Sequence, residues 1–157
     1  MAARTRALEA AAGTPHEVYE YTPSQDHFGE HAAEELGTDP ATTLKTLVIV
    51  NTANPREMAM CCVPVAGHLS LKAAAKALGW KHAEMADPAK AQRVTGYVVG
   101  GISPLGSLKE LPLLIDAALS PQPTVTFSAG QRGLSLAMSP QDLASLTNAT
   151  FADISAQ

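Results

Sequence analysis

The sequence predicts an α+β domain built on a mixed β-sheet, and three observations carry that prediction. Apolar runs of strand length recur at 44–50, 58–65, 111–117, 124–127 and 134–138. Helix-starting residues stand between several of them: Ser70 before Leu71, Asp87 before Pro88, Ser139 before Pro140. Some neighbouring runs are joined by turn sequences and others by a helix, so hairpins mix with crossover connections. The 157 residues, 46% hydrophobic and 17% charged, fit one globular domain over 1–157 that can bury a core without staples. Aromatic residues are only 4%, so that core has to be aliphatic and alanine-rich.

In order, residues 2–12 read as an amphipathic helix stopped by Gly13 and Pro15. Val18 to Tyr21 alternates as a strand does, and Thr22 to Asp26 is a loop. Phe28-Gly29 leads into a helix over about 30–36, ended by Gly37, and Thr38-Asp39-Pro40 opens a helical turn through Thr43. Leu44–Val50 and Met58–Val65 form a hairpin with a longish loop over Asn51–Pro55, and Pro64 belongs at a frayed end or an edge. A helix follows over Leu71–Leu78, stopped by Gly79, then a short strand within Trp80–Met85. Asp87 and Pro88 begin a helix that stops near Gly96, and Tyr97–Val99 reads as a short buried strand. Leu111–Ala117 is a strand; Thr124–Phe127 and Leu134–Met138 pair through the turn 128–133. A helix from Pro140 to about Leu146 and a last strand over Phe151–Ile154 complete the chain.

Composition narrows the function classes. A formal charge of −4 argues against broad, sequence-blind nucleic-acid binding, which needs a dominant basic field. A local basic rim is still available from Lys45, Lys72, Lys76, Lys81, Arg93, Lys109 and Arg132. No apolar run approaches the ~20 residues of a membrane span, and a cytoplasmic location is expected. Cys61 and Cys62 are adjacent in a strand-like run, so their side chains face opposite ways and read as small buried hydrophobes. HExxH, Walker, GxGxxG and GxSxG arrangements are all missing, and the five histidines are scattered without a metal-ligand cluster. His27, beside Phe28, and His68, after a Pro-Val-Ala-Gly turn, are the two of most interest.

Two features stand out against that background. Lys45 sits inside an otherwise apolar strand, where a lysine either snorkels to water or serves a site. Gly100-Gly101-Ile102-Ser103-Pro104 is a rigid turn whose glycines allow close backbone approach to a ligand oxygen, or simply make a turn.

These stretches resemble the YbaK/EbsC family of aminoacyl-tRNA deacylases, relatives of the editing domain of bacterial prolyl-tRNA synthetases. The resemblance runs in order over about 14–155. It is carried by Thr14-Pro15, Tyr21, Phe28-Gly29, Leu44-Lys45-Thr46-Leu47, Val63 to Gly67, the 85–106 stretch, and Gly130-Gln131-Arg132-Gly133. Within the superfamily the chain looks closest to the branch that removes cysteine from mischarged tRNA(Pro).

The resemblance implies a mixed, barrel-like sheet surrounded by helices. It implies that Lys45 meets the aminoacylated tRNA end as a fixed positive charge, and that the Gly100, Gly101, Ile102, Ser103 and Pro104 backbone polarises the ester carbonyl. Tyr21 and Phe28 then stack on the terminal adenine or wall the amino-acid cavity, and Thr46 donates to substrate. One departure is Ser135, where relatives usually carry an acid that meets the substrate α-amino group; Asp116 and Asp87 are the candidates to replace it.

The implied reaction needs no protein nucleophile and no cofactor, because the substrate thiol attacks its own ester and leaves as a cyclic thiolactone. The expected partners are the acceptor end of aminoacyl-tRNA(Pro) and prolyl-tRNA synthetase; monomer and weak dimer both remain open. Rival readings are a water-using deacylase for alanyl or another small aminoacyl group, a non-catalytic tRNA- or synthetase-binding module, and a thiol redox protein using Cys61 and Cys62.

Overall fold

The computed structural model describes residues 5–23 and 28–156. His27, residues 2–4 of the expected first helix and residues 24–26 of the expected loop lie outside them. The chain runs α1 (Arg6–Ala11), β1 (Glu17–Glu20), α2 (Phe28–Leu36), β2 (Leu44–Asn51), β3 (Asn54–Pro64), β4 (His68–Leu69), α3 (Leu71–Leu78) and β5 (Ala83–Met85). It continues with α4 (Pro88–Thr95), β6 (Leu113–Asp116), a 3-10 turn (Ala117–Leu119), β7 (Val125–Gln131), β8 (Leu134–Met138), α5 (Pro140–Thr147), β9 (Thr150–Ala152) and β10 (Ser155–Ala156).

The main sheet has five strands in the order β5-β2-β3-β6-β9. β5, β2 and β3 pair antiparallel, whereas β3–β6 and β6–β9 are parallel, so the sheet is mixed as expected. β1, β8 and β7 form a second, antiparallel sheet. Among the described residues the two meet at one isolated parallel bridge, Thr43 to Thr126, with Thr126 N–H donating to Thr42 O at 3.0 Å. The result is barrel-like and not a closed barrel.

β3 shows why its sequence is apolar without interruption. Met58, Met60 and Cys62 face the larger core, which takes in β7, β8, α1, α4 and α5. Ala59, Cys61 and Val63 face a smaller core closed by Ala74 of α3 and by Ile154. A strand covered on both faces has no polar alternation to show. Three helices, α3, α4 and α5, begin where local chemistry places them: Ser70, Asp87 and Ser139 each accept a hydrogen bond from the backbone N–H three residues on.

Several boundaries differ from the sequence reading. Tyr97–Val99 is not a strand, because its groups bond locally. Tyr97 N–H donates to Thr95 Oγ1, Val99 N–H to Gln92 Oε1, and the Tyr97 hydroxyl to Leu105 O at 2.7 Å. The β2–β3 loop is only Thr52-Ala53, since Asn51 pairs with Asn54 and Pro55 lies within β3. There Pro55 precedes the β3–β6 pairing, which begins at Met60, so its missing N–H disturbs no ladder on that side. Leu111 and Pro112 precede β6, and Ala117 opens the 3-10 turn. The expected last strand is two short ones, β9 on β6 and β10 on β4.

Candidate functional site

β2 supplies the floor of a cavity of about 370 Å³. β5 covers the outer edge of β2 only at Ile49–Asn51, and the next contact on that edge is Ala86 N–H to Val48 O at 3.0 Å. Below it the edge is open until the bridge at Thr43. Val65 N–H donates to Thr43 O, so the odd-numbered residues of β2 bond to β3 and the even-numbered ones face away. The backbone N–H and C=O of Thr46 therefore point from the sheet edge into the opening, among the described residues. Side chains alternate across the same stretch. Lys45 shares a face with Leu47, and Thr46 lies on the face of Leu44 and Val48. The open edge lets both Lys45 and Thr46 line the cavity.

The other walls come from distant parts of the chain. Tyr21 lies just beyond β1, where its N–H donates to Gly133 O at 3.0 Å and so docks on the β7–β8 turn. Phe28 comes from the first residue of α2, and Ser135 from the middle of β8, where it is 3% exposed. Ser135 has two cross-strand neighbours, Tyr19 on β1 and Ser128 on β7.

The glycine loop divides in two. Gly100 and Ile102 line the cavity. Gly101, Ser103 and Pro104 are buried behind it. Gly101 N–H is already bound to Val98 O at 2.9 Å, and a Cβ on Gly101 would meet the Gln131 backbone at 2.9 Å. Ser103 Oγ accepts from Leu105 N–H at 3.2 Å, and proline has no N–H. These three hold the loop in shape, and the cavity-facing part is narrower than the sequence suggested.

Tyr21, Phe28, Lys45, Thr46, Gly100, Ile102 and Ser135 thus converge on one cavity from five separate parts of the chain. Three further polar lining residues, Glu30, Thr43 and Ser128, had drawn no notice as site residues in the sequence. Glu30 reads as one of several acids on α2, and its only hint is standing two residues after Phe28. Ser128 becomes visible only once the β7–β8 register places it opposite Ser135.

Neither aspartate proposed to replace the acid at 135 lines the cavity. Asp116 is 2% exposed and accepts from Ile154 N–H at 3.2 Å and Ser155 Oγ at 2.8 Å. Asp87 caps α4. His68 is exposed on β4, away from the cavity. Of the basic residues named for a rim, Lys45 lines the cavity and Arg132 touches Phe28.

Cys62 lies under the floor, its Sγ 3.6 Å from Thr46 Oγ1. Burial pushes both thiols up to about 12, with the adjacent Cys62 adding to the effect on Cys61. Both are protonated at neutral pH, which sets aside nucleophilic or redox use of this pair.

Comparison with known proteins agrees with this architecture. The aminoacyl-tRNA editing domain family matches residues 22–146. A relative in Enterococcus faecalis (strain ATCC 700802 / V583), named "Putative Cys-tRNA(Pro)/Cys-tRNA(Cys) deacylase EbsC", is 36% identical over 141 residues, covering 89% of this chain and 85% of the relative. Two solved structures share the fold. One, hypothetical protein APE2540, has a TM-score of 0.86 at 23% identity and covers 97% of this chain and 100% of its own. The other, described as "a putative trans-editing enzyme for prolyl tRNA synthetase", has a TM-score of 0.81 at 24% identity and covers 99% and 100%. Among the described residues no helix is long and apolar enough to cross a membrane. The chain belongs to the aminoacyl-tRNA editing domain family.

Proposed function

Because the chain is an aminoacyl-tRNA editing domain, we propose that it is a free-standing deacylase that clears cysteine from mischarged Cys-tRNA(Pro), and from Cys-tRNA(Cys), by substrate-assisted chemistry. The observation that carries this reading is the make-up of the cavity. It offers one cation, Lys45, and one carboxylate, Glu30 on the exposed start of α2, together with hydroxyls and backbone edges, and no cysteine or histidine among the described lining residues. Ser128 and Ser135 have no imidazole beside them to act as a base. A cavity of that kind suits a substrate that brings its own nucleophile.

The cysteine thiol, with an ordinary pKa near ~8.5, has a thiolate fraction of roughly a tenth at pH 7.5. Its sulfur attacks the ester carbonyl, an S–C bond forms, and the C–O bond to the terminal ribose breaks. The thiol proton ends on the ribose hydroxyl, and cysteine leaves as its thiolactone. The protein's part is to hold thiol and carbonyl together and to meet the developing oxyanion. Lys45 sets a fixed positive charge at the phosphate or ester end. Gly100 and Ile102 form the wall nearest the carbonyl. Tyr21 and Phe28 enclose the aminoacyl group with Thr46 and Ser135. Prolyl-tRNA synthetase is the natural partner, since it supplies the tRNA selection that a chain of net charge −4 lacks.

Ser-tRNA(Pro) and Ala-tRNA(Pro) test the chemistry, because both keep the ester and lack the thiol. The thiol mechanism predicts at least about 100-fold slower turnover of both. Comparable rates on all three, with free amino acid as the product, would show that water attacks.

A further inference from the structure

We propose that Arg132 is a positioning residue of this site: tethered to the Val99 carbonyl, it draws the Phe28 ring onto the Gly100 backbone and so fixes one wall of the cavity. This rests on the cavity being the deacylation site. Three remote segments meet here: the start of α2, the loop after α4, and the β7–β8 turn. The Arg132 Cζ lies over the Phe28 ring, 4.6 Å from its centroid. Its Nε–H donates to Val99 O at 2.8 Å, which ties the guanidinium to the residue before Gly100.

Gly100 packs against the same ring. Its φ is +90°, and a Cβ there would lie 2.7 Å from Phe28 Cγ and Cδ1 and 2.8 Å from Cδ2. A point equidistant from three carbons of a six-membered ring lies on the axis through the ring, so the Gly100 Cα packs against its face. The guanidinium is bonded to Val99 O, one peptide away from Gly100 Cα, so cation and glycine meet the ring on the same side. Tethered there, Arg132 draws the ring face onto the Gly100 backbone.

Two consequences follow for the site. Cation and glycine occupy one face of Phe28, so a base could stack only on the opposite face. Gly100 is required to be glycine by Phe28, independently of any ligand. Glu30 and Ala32, on the same helix, line the same cavity, so the seat of Phe28 sets where that wall stands.

The test uses the full chain as wild type, Arg132→Gln, Arg132→Lys, Phe28→Leu and the Arg132→Gln/Phe28→Leu double variant. Deacylation of Cys-tRNA(Pro) is measured alongside two-dimensional NMR of the free protein. Arg132→Gln is expected to raise KM roughly three- to tenfold with kcat changed less than about twofold, and Arg132→Lys to recover part of the loss. The double variant should be no worse than Phe28→Leu alone, because Arg132 then has no ring to hold. One Gly100 Hα should be shifted upfield by the ring current in the wild type and return to an ordinary position in Phe28→Leu.

Multiplying effects in the double variant would overturn the proposal, since Arg132 would then act on substrate by itself. A loss of thermal stability with KM unchanged would overturn it as well, as would a Gly100 Hα unmoved by Phe28→Leu. A wild type inert on every aminoacyl-tRNA but carrying the Gly100 signature would refute the functional reading and the positioning role with it, leaving the Arg132–Phe28–Gly100 cluster as a packing contact.

Discussion

Asp116→Ala separates a structural carboxylate from a substrate-binding one. Asp116 is 2% exposed and joins β6 to the C-terminal segment through Ile154 N–H at 3.2 Å and Ser155 Oγ at 2.8 Å. Hydrogen bonds to a charged group contribute ~1.5–3 kcal/mol each, and returning the carboxylate to water on unfolding offsets part of that. Alanine also leaves a buried Ile154 N–H without its partner, which costs ~1–3 kcal/mol. The net loss should be about 3 kcal/mol. For a domain of this size that lowers Tm by roughly 6–12 °C at ~2–4 °C per kcal/mol. Urea and thermal unfolding measure the loss, and deacylation at 25 °C measures the consequence for function. The preference between cysteinyl and alanyl esters should not change, because Asp116 does not line the cavity. A loss under about 1 kcal/mol, or altered amino-acid preference at unchanged stability, would refute this reasoning.

Two more predictions follow from the same structure. Asp87→Ala should cost about 1 kcal/mol by uncapping α4, with amino-acid preference intact; a urea titration and a deacylation panel check both halves. Cys61 and Cys62 ionise more readily unfolded than folded, so their contribution is complete below about pH 8.5 and is lost as pH rises toward about 12. By pH 10 the loss should be about 2 kcal/mol per thiol. A Cys61→Ala/Cys62→Ala variant, lower in stability at every pH for its lost packing, should show a flatter decline between pH 8 and 10 than the wild type.

What the sequence disclosed tracks how local each signal is. The caps at Ser70, Asp87 and Ser139 are complete within four residues, and the helices they start are where the sequence puts them. β2, β3, β7 and β8 announce themselves by apolar runs. Tyr97–Val99 misled because an apolar triplet signals burial and not the identity of its partners; Tyr97 is buried by its hydroxyl reaching Leu105 and by Arg6 over its ring. The β4–β10 pair joins residues 68–69 to residues 155–156 and has no local signature at all.

At the site, Lys45 was legible as a charge in an apolar strand. The open edge of β2 was not, because it depends on where β5 stops pairing. The division of the Gly100–Pro104 loop into a cavity-facing part and a supporting part depends on how Gly101 packs on the β7–β8 turn. Ser135 was legible as a departure, yet the carboxylate that shares its cavity, Glu30, was not, since an acid on a helix reads as solvent-facing until the helix is placed.

The central claim is that Lys45 and this cavity deacylate cysteinyl-tRNA through the substrate's own thiol. Its most direct test is deacylation of Cys-tRNA(Pro), Ala-tRNA(Pro) and Pro-tRNA(Pro) by the wild type and Lys45→Ala, with the released product identified. The account predicts rapid loss of cysteine alone, released as thiolactone and reduced at least about 100-fold by Lys45→Ala. Release of free cysteine with no thiolactone, or an undiminished rate in Lys45→Ala, would contradict it.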